Sequence, residues 1–163
     1  MSFGCAEAFK MSWKKRILRD LEDVRAGKFD VYGDTTEDIT DLSCFKSVLQ
    51  GPKDSLYEHA SFVVRFTIPE AYPFKSPSVG FVTKIYHPNV DFASGTICLD
   101  ALNSKWSPCF TIRHVLETLL PYLLNYPNPD DPLNREAAAL LKSNPEDYAK
   151  EVRKCVQKYV QTT

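Results

Sequence analysis

The sequence predicts an α+β fold in which one helix precedes an antiparallel sheet and further helices follow it. A helical period of apolar residues near the N-terminus gives way to short alternating segments rich in β-branched and aromatic residues. Helical spacing returns after Trp106. Because parallel strands would need a crossover helix between each pair, this order favours a sheet of chain-adjacent antiparallel strands, separate from the helices.

The first helix is predicted from about Phe9 to Ala26. Gly27 is a plausible stop. Its apolar residues recur every three or four positions, at Phe9, Trp13, Ile17, Leu21 and Val24. The opposite face carries a basic cluster, comprising Lys10, Lys14, Lys15 and Arg16.

Four strands are predicted next. Two longer segments, Ile39–Leu49 and Ser61–Ile68, lie on either side of a turn marked by Gly51 and Pro52. Val79–Thr83 supplies a further strand, and residues near Asp30–Tyr32 supply the first. Short links between these segments predict a meander.

Three helical regions are predicted after the sheet. The first follows Trp106, and a short one lies near Leu133–Lys142. The last runs from about Pro145 to Val160 and has proline at a favoured first helical position. With no internal repeat, the chain is interpreted as a single domain over residues 1–163, with a core of about 9–160.

Composition excludes several classes of protein. A net charge of -1 provides no general attraction to nucleic acid, and no apolar run approaches the roughly 18 residues that span a membrane. The five cysteines are odd in number and form no CxxC pair, so neither a disulfide framework nor a metal site is expected. Reduced thiols in a cytosolic or nuclear protein fit better.

The segment Tyr86–Trp106 has little periodicity, and long irregular stretches inside a compact domain are often functional. It contains Cys98, which follows Gly95 and Thr96. Pattern alone leaves two interpretations open, a buried inert thiol or a catalytic nucleophile. No neighbouring histidine pairing of the kind a hydrolase requires is evident.

Eight short motifs in a fixed order decide between these interpretations. Together they resemble the ubiquitin-conjugating enzyme family over nearly the whole chain. They are Gly51-Pro52, Tyr57-Glu58, Ile68-Pro69, Tyr72-Pro73-Phe74-Lys75-Ser76-Pro77, Lys84-Ile85-Tyr86-His87-Pro88-Asn89, Gly95-Thr96-Ile97-Cys98-Leu99-Asp100, Trp106-Ser107-Pro108 and Asn128-Pro129-Asp130-Asp131-Pro132-Leu133.

The resemblance implies a UBC-like fold and a transferase that carries ubiquitin as a thioester on Cys98. Asn89 matches an asparagine that either stabilises the oxyanion or braces its loop by hydrogen bonds. Asp131 matches an acidic residue that orients the incoming lysine, with a turn or helix-cap aspartate as the alternative. His87 and Pro88 are implied to be structural residues of the active-site loop.

The implied partners are ubiquitin, the ubiquitin-activating enzyme, a RING-type or HECT-type ligase and a protein substrate. No cofactor, nucleic acid or membrane is implied. The matching ligase-binding residues lie in two loops and on the basic face of the first helix. They are Phe74, Ser107, Pro108, Cys109, Lys14 and Arg16.

Several positions depart from the commonest family pattern. Asn89 and Cys98 are nine positions apart, one more than usual, and His59-Ala60 replaces two glycines. Glu117 replaces an apolar residue, and Pro121 is expected to kink its helix. The segment Ala93–Asp100, together with Leu120-Pro121 and Tyr126-Pro127-Asn128-Pro129, resembles the branch of the family that serves the GID/CTLH ligase and can modify histones.

Three rival functions remain. The chain could serve another ubiquitin-like modifier, bind ubiquitin without catalysis, or act as a thiol hydrolase.

Overall fold

The computed structural model of the protein describes residues 3–35, 37–97 and 100–160. Helix α1 (Phe3–Ala26) precedes four strands and further helices, which confirms the predicted α+β architecture. The strands are β1 (Val31–Gly33), β2 (Cys44–Gln50), β3 (Ser61–Thr67) and β4 (Ser78–Phe81). The later helices are α2 (Asp100–Asn103), α3 (residues 112–125), α4 (Arg135–Ser143) and α5 (Pro145–Tyr159).

The strands form one antiparallel meander in the order β1-β2-β3-β4. Val48 pairs with Val63, and Val64 pairs with Phe81. Alternate residues are buried, as strand geometry requires when one face covers a core. The core joins this face to α1 and α3 through Phe45, Phe62, Phe66, Ile17, Leu21, Ile112, Leu116 and Leu120.

Helix α1 begins at Phe3, so the predicted start near Phe9 is wrong. Its buried apolar residues begin at Ile17, whereas Phe9 is 49% exposed. Apolar spacing detects a helix only where one face is buried. The first turns of α1 therefore lacked the signal on which the prediction depended.

Helix α3 changes its winding partway along. α-Helical turns at Ile112–His114 and Leu120–Asn125 enclose a π-helical turn at Val115–Leu119, where the Leu120 N–H donates to the Val115 carbonyl. In a regular α-helix, the ring of Pro121 would clash with the carbonyl four residues earlier. The widened turn directly before Pro121 accommodates the proline, and the helix continues to Asn125.

The turn between β2 and β3 is built around a left-handed residue, His59, with φ of 68°. The Gly51 N–H donates to the Ala60 carbonyl at 2.8 Å and closes the turn. A Cβ on Gly51 would lie 1.7 Å from the Tyr57 carbonyl oxygen, so only glycine fits there. His59 thus supplies the backbone conformation that a glycine would adopt readily.

Candidate functional site

The irregular segment forms a hairpin at residues 90–97, directly before two residues that the structure does not describe. Val90 and Ile97 form an antiparallel bridge, and the Asp91 N–H donates to the Thr96 carbonyl at 2.9 Å. Gly95 has φ of +76°, and a Cβ there would lie 1.9 Å from the Phe81 oxygen, so glycine lets the hairpin approach β4. Cys98, the predicted nucleophile, lies outside the described residues and follows Ile97 in sequence.

The Asn89 side chain is 3% exposed and braces a distant loop. Its Nδ2 donates to the carbonyls of Asn128 and Asp131, at 2.8 and 3.2 Å. Its Oδ1 accepts from the Asn128 N–H at 2.7 Å. Because both amide hydrogens and the oxygen are engaged, this geometry favours the bracing role over oxyanion donation.

The Asp131 carboxylate is exposed and makes no hydrogen bond or ion pair with any other residue the structure describes. Helix α4 is capped instead by Asn134, whose Oδ1 accepts from the Ala137 N–H at 3.0 Å. The neighbouring Asp130 pairs with Lys142 at 2.7 Å. Asp131 is therefore not the cap of α4, and its carboxylate is free to meet an incoming group.

His87 is fully buried and uses both ring nitrogens. Its Nδ1 accepts from the Asn89 N–H at 3.0 Å, so Nε2 carries the proton and donates to the Leu123 carbonyl at 2.9 Å. Burial lowers the pKa of His87 to about 4, although the Leu123 bond opposes this shift. A neutral, doubly bonded imidazole holds the loop against α3 and cannot collect a proton from a substrate.

Pro88 and Tyr86 complete the frame of the loop. The Pro88 carbonyl accepts from the N–H groups of both Leu133 and Asn134, each at 2.9 Å. Beneath it, the Tyr57 hydroxyl donates to the Tyr86 carbonyl at 2.7 Å. Tyr57 belongs to one of the sequence motifs, but nothing in its spacing reveals a contact with a residue 29 positions away.

Two loops and α1 converge on a separate surface. The Trp106 Nε1 donates to the Pro73 carbonyl at 2.7 Å and joins the loops. Arg16 donates to the carbonyls of Pro108 and Phe110, at 3.0 and 2.8 Å, and also pairs with the buried Asp20, which accepts from Tyr72. Arg16 therefore joins α1 to the loop after Trp106, and its guanidinium is used mainly for contacts within the protein.

Four of the six residues that the sequence selected for ligase binding are exposed on this surface. Phe74 is 72% exposed, and Pro108, Cys109 and Lys14 are also exposed. Ser107 is half-buried, and its hydroxyl accepts from the Cys109 N–H at 3.3 Å. An aromatic side chain held out on a proline-stiffened loop is a typical anchor for a protein partner.

Among the described residues, no group of three or more histidine, cysteine, aspartate or glutamate side chains could hold a metal ion. No helix within the same residues has the length and apolar character needed to cross a membrane.

Comparison with known proteins agrees with this geometry. The chain is similar to "Ubiquitin-conjugating enzyme E2 5" of Arabidopsis thaliana, with 57% identity over 67% of this chain and 59% of the relative. "Ubiquitin-conjugating enzyme E2 6" of the same organism is 48% identical over 86% of this chain and 76% of the relative. The match to the first relative thus spans about three fifths of that relative's length.

A solved structure and a family model lead to the same conclusion. The E2 domain of a ubiquitin conjugating enzyme from Toxoplasma gondii has a TM-score of 0.82 and 30% identity, covering 91% of this chain and 99% of that domain. The family model described as "Ubiquitin-conjugating enzyme" matches residues 16–156, which include the loop brace, the hairpin and α3. The chain belongs to the ubiquitin-conjugating enzyme family.

Proposed function

We propose that this chain accepts ubiquitin from the ubiquitin-activating enzyme as a thioester on Cys98 and transfers it, with a ligase, to a substrate lysine. The observation that carries the proposal is the Val90–Ile97 bridge within a chain of this family. It pairs the residue after Asn89 with the residue before Cys98. The braced loop and the residue before the predicted nucleophile thereby lie at the same end of one hairpin.

The chemistry requires no strong general base. The Cys98 thiolate attacks the thioester carbonyl on the activating enzyme, whose thiolate leaves, and this exchange between similar thioesters is nearly neutral in energy. The lysine amine then attacks the new thioester and loses a proton, an amide forms, and the Cys98 thiolate leaves. His87 is neutral and enclosed, which disfavours the thiol hydrolase alternative.

Asp131 is the residue of the described site that we assign to the acceptor lysine. A carboxylate beside an ammonium raises the pKa of the amine, so its benefit lies in placement and desolvation. Asn89 acts on Asp131 through the backbone, because its Nδ2 holds the Asp131 carbonyl. In this scheme the asparagine positions the carboxylate.

We assign the Phe74 surface, which comprises Lys14, Arg16, Phe74, Ser107, Pro108 and Cys109, to a RING-type or HECT-type ligase. Its loops are joined by Trp106 and Arg16, so little ordering is required when a partner binds. The GID/CTLH ligase and histone substrates are the finer assignment, carried by the resemblance to that branch. Phe74→Ala is expected to keep charging and lose most ligase stimulation.

A charging assay tests the central proposal. The protein is mixed with ubiquitin, activating enzyme, Mg²⁺ and ATP, and gels are run with and without reductant. A reductant-sensitive adduct of one ubiquitin is expected for the unmodified chain and for Cys109→Ala, an exposed cysteine that serves as the control. Cys98→Ala is expected to form none.

The alternatives give different outcomes. Charging with another ubiquitin-like modifier alone would identify a different conjugating enzyme. Ubiquitin binding without any adduct would identify a non-catalytic variant. For the ligase surface, Tyr122→Ala is the matched control, since Tyr122 is an exposed aromatic residue on α3 rather than on either loop of the Phe74 surface.

A further inference from the structure

The tip of the hairpin before Cys98 is joined to the segment that follows β4 by a lysine. Lys84 lies just beyond β4, and its Nζ donates to the carbonyls of Phe92 and Ala93, both at 2.9 Å. The same Nζ lies 5.2 Å from the centroid of the Phe92 ring. These contacts, called the Lys84 clasp below, hold both backbone and side chain at the tip of the hairpin.

Helix α5 supports the clasp from the opposite side. The Phe92 ring contacts the Tyr159 ring edge-on, with centroids 6.1 Å apart. The Lys84 carbonyl accepts from the Cys155 thiol at 3.8 Å. Lys84 therefore joins the hairpin tip to both β4 and the last helix.

The hairpin tip does not need Lys84 for its shape. The Asp91 carboxylate accepts from the Ser94 N–H and hydroxyl, both at 2.7 Å, and the Gly95 N–H donates to the Asp91 carbonyl at 2.8 Å. These bonds close the turn internally. The Phe81 N–H also donates to the Gly95 carbonyl at 2.9 Å, which joins the end of the turn to β4. The Lys84 clasp adds the placement of Phe92 and Ala93 relative to the rest of the fold.

We propose that Lys84 is a positioning residue for ubiquitin transfer, acting through the hairpin that leads to Cys98. The inference rests on the proposed function. Transfer to an amine requires the thioester carbonyl, the amine and Asp131 to align, and a displacement of 1 Å can slow such a step by about 100-fold. Charging, in which the activating enzyme itself presents the thioester, is expected to be less sensitive.

Single-turnover discharge tests the proposal. Each variant is charged with ubiquitin, purified as the conjugate and chased with increasing free lysine. Lys84→Met, which keeps the length but loses the donors, is expected to lower the rate at saturating lysine by about 10- to 100-fold, with the half-saturating concentration unchanged. Lys84→Arg is expected to recover most of the rate, because a guanidinium also donates to two carbonyls.

The matched control is Lys46→Met. Lys46 makes a similar clasp on the sheet, where its Nζ donates to the Asp34 carbonyl at 2.6 Å, yet it lies away from the hairpin. Normal discharge by Lys46→Met and slow discharge by Lys84→Met support positioning. An unmodified rate for Lys84→Met, equal slowing of Lys46→Met, or failure of Lys84→Arg to recover activity overturns it.

Misfolding of a variant and failure of the proposed function can each be distinguished from failure of the positioning role. Circular dichroism establishes that each variant is folded. Lys84→Gln, whose amide is a shorter and uncharged donor group, replaces Lys84→Met if that variant fails to fold. The discharge rate of Lys84→Gln is then expected to lie between that of the unmodified chain and the background rate. A discharge rate equal to that of the unmodified chain overturns the proposal. If the unmodified chain accepts no ubiquitin at all, the proposed function fails before Lys84 is tested.

Discussion

Asn89→Ala separates the two roles considered for Asn89. The substitution removes two hydrogen bonds that Nδ2 donates and one that Oδ1 accepts, all within a side chain that is 3% exposed. At about 1 kcal/mol net for each bond, the free energy of unfolding is expected to fall by about 2–3 kcal/mol, since the partly exposed loop carbonyls regain some bonds to water.

Urea unfolding followed by tryptophan fluorescence measures this loss. Asn125→Ala is the matched control, because Asn125 is an exposed asparagine at the end of α3, and its substitution is expected to change stability by less than about 0.5 kcal/mol. Discharge of the charged conjugate to free lysine is measured alongside. Unchanged stability with a severe loss of discharge would refute the bracing role and restore oxyanion donation as the function of Asn89.

Three further predictions concern the histidines and Trp106. The pKa of His87 lies at about 4, below the ordinary 6.5, so the unfolded chain binds more protons than the folded chain between these pH values. The free energy of unfolding is therefore expected to fall by about 3 kcal/mol from pH 7 to pH 4 on this account. In urea titrations, His87→Gln should lose that part of the pH dependence. His59→Gly is expected to raise the free energy of unfolding by about 0.5 kcal/mol, because glycine adopts a φ of 68° without strain. His59→Ala, which keeps a Cβ, should bring no gain in stability. A loss of stability in His59→Gly would contradict the strain argument. Trp106→Phe is expected to lower the free energy of unfolding by about 1–2 kcal/mol and to reduce ligase-stimulated transfer more than free-lysine discharge. Trp13→Phe, which removes a similar hydrogen bond to the Pro69 carbonyl, controls for the loss of stability. Equal loss of both activities in Trp106→Phe would argue against a role for Trp106 in the ligase surface.

The sequence predicted those elements whose apolar period is visible. The strand predicted at Ser61–Ile68 is observed at Ser61–Thr67. It was predictable because Phe62, Val64 and Phe66 alternate with less buried neighbours. The exposed first turns of α1 and the π-helical turn had no such signal. A widened turn depends on how a helix packs, and spacing does not record it.

The sequence predicted residues of the site but not the hydrogen bonds that join them. The motifs identified Asn89 and Asp131, yet the brace between them joins residues 42 positions apart. The same limit applies to Lys84, which lies in one of the motifs but was given no role, because its role depends on where the Phe92 carbonyl lies. Cys98 lies outside the described residues, so its assignment remains a prediction from the sequence.

The π-helical turn at Val115–Leu119 has a consequence for changes in chain length. Its bond from the Leu120 N–H to the Val115 carbonyl spans five residues, so that turn holds one residue more than an α-helical turn does. An extra residue in a regular helix would rotate all later side chains by about 100°. Here the surplus is confined to one turn, and Leu120, Leu123 and Leu124 still face the core. A one-residue deletion at Thr118 would restore regular winding and bring the Pro121 ring against the carbonyl four residues earlier, so the helix should tolerate that deletion better when Pro121 is replaced by alanine.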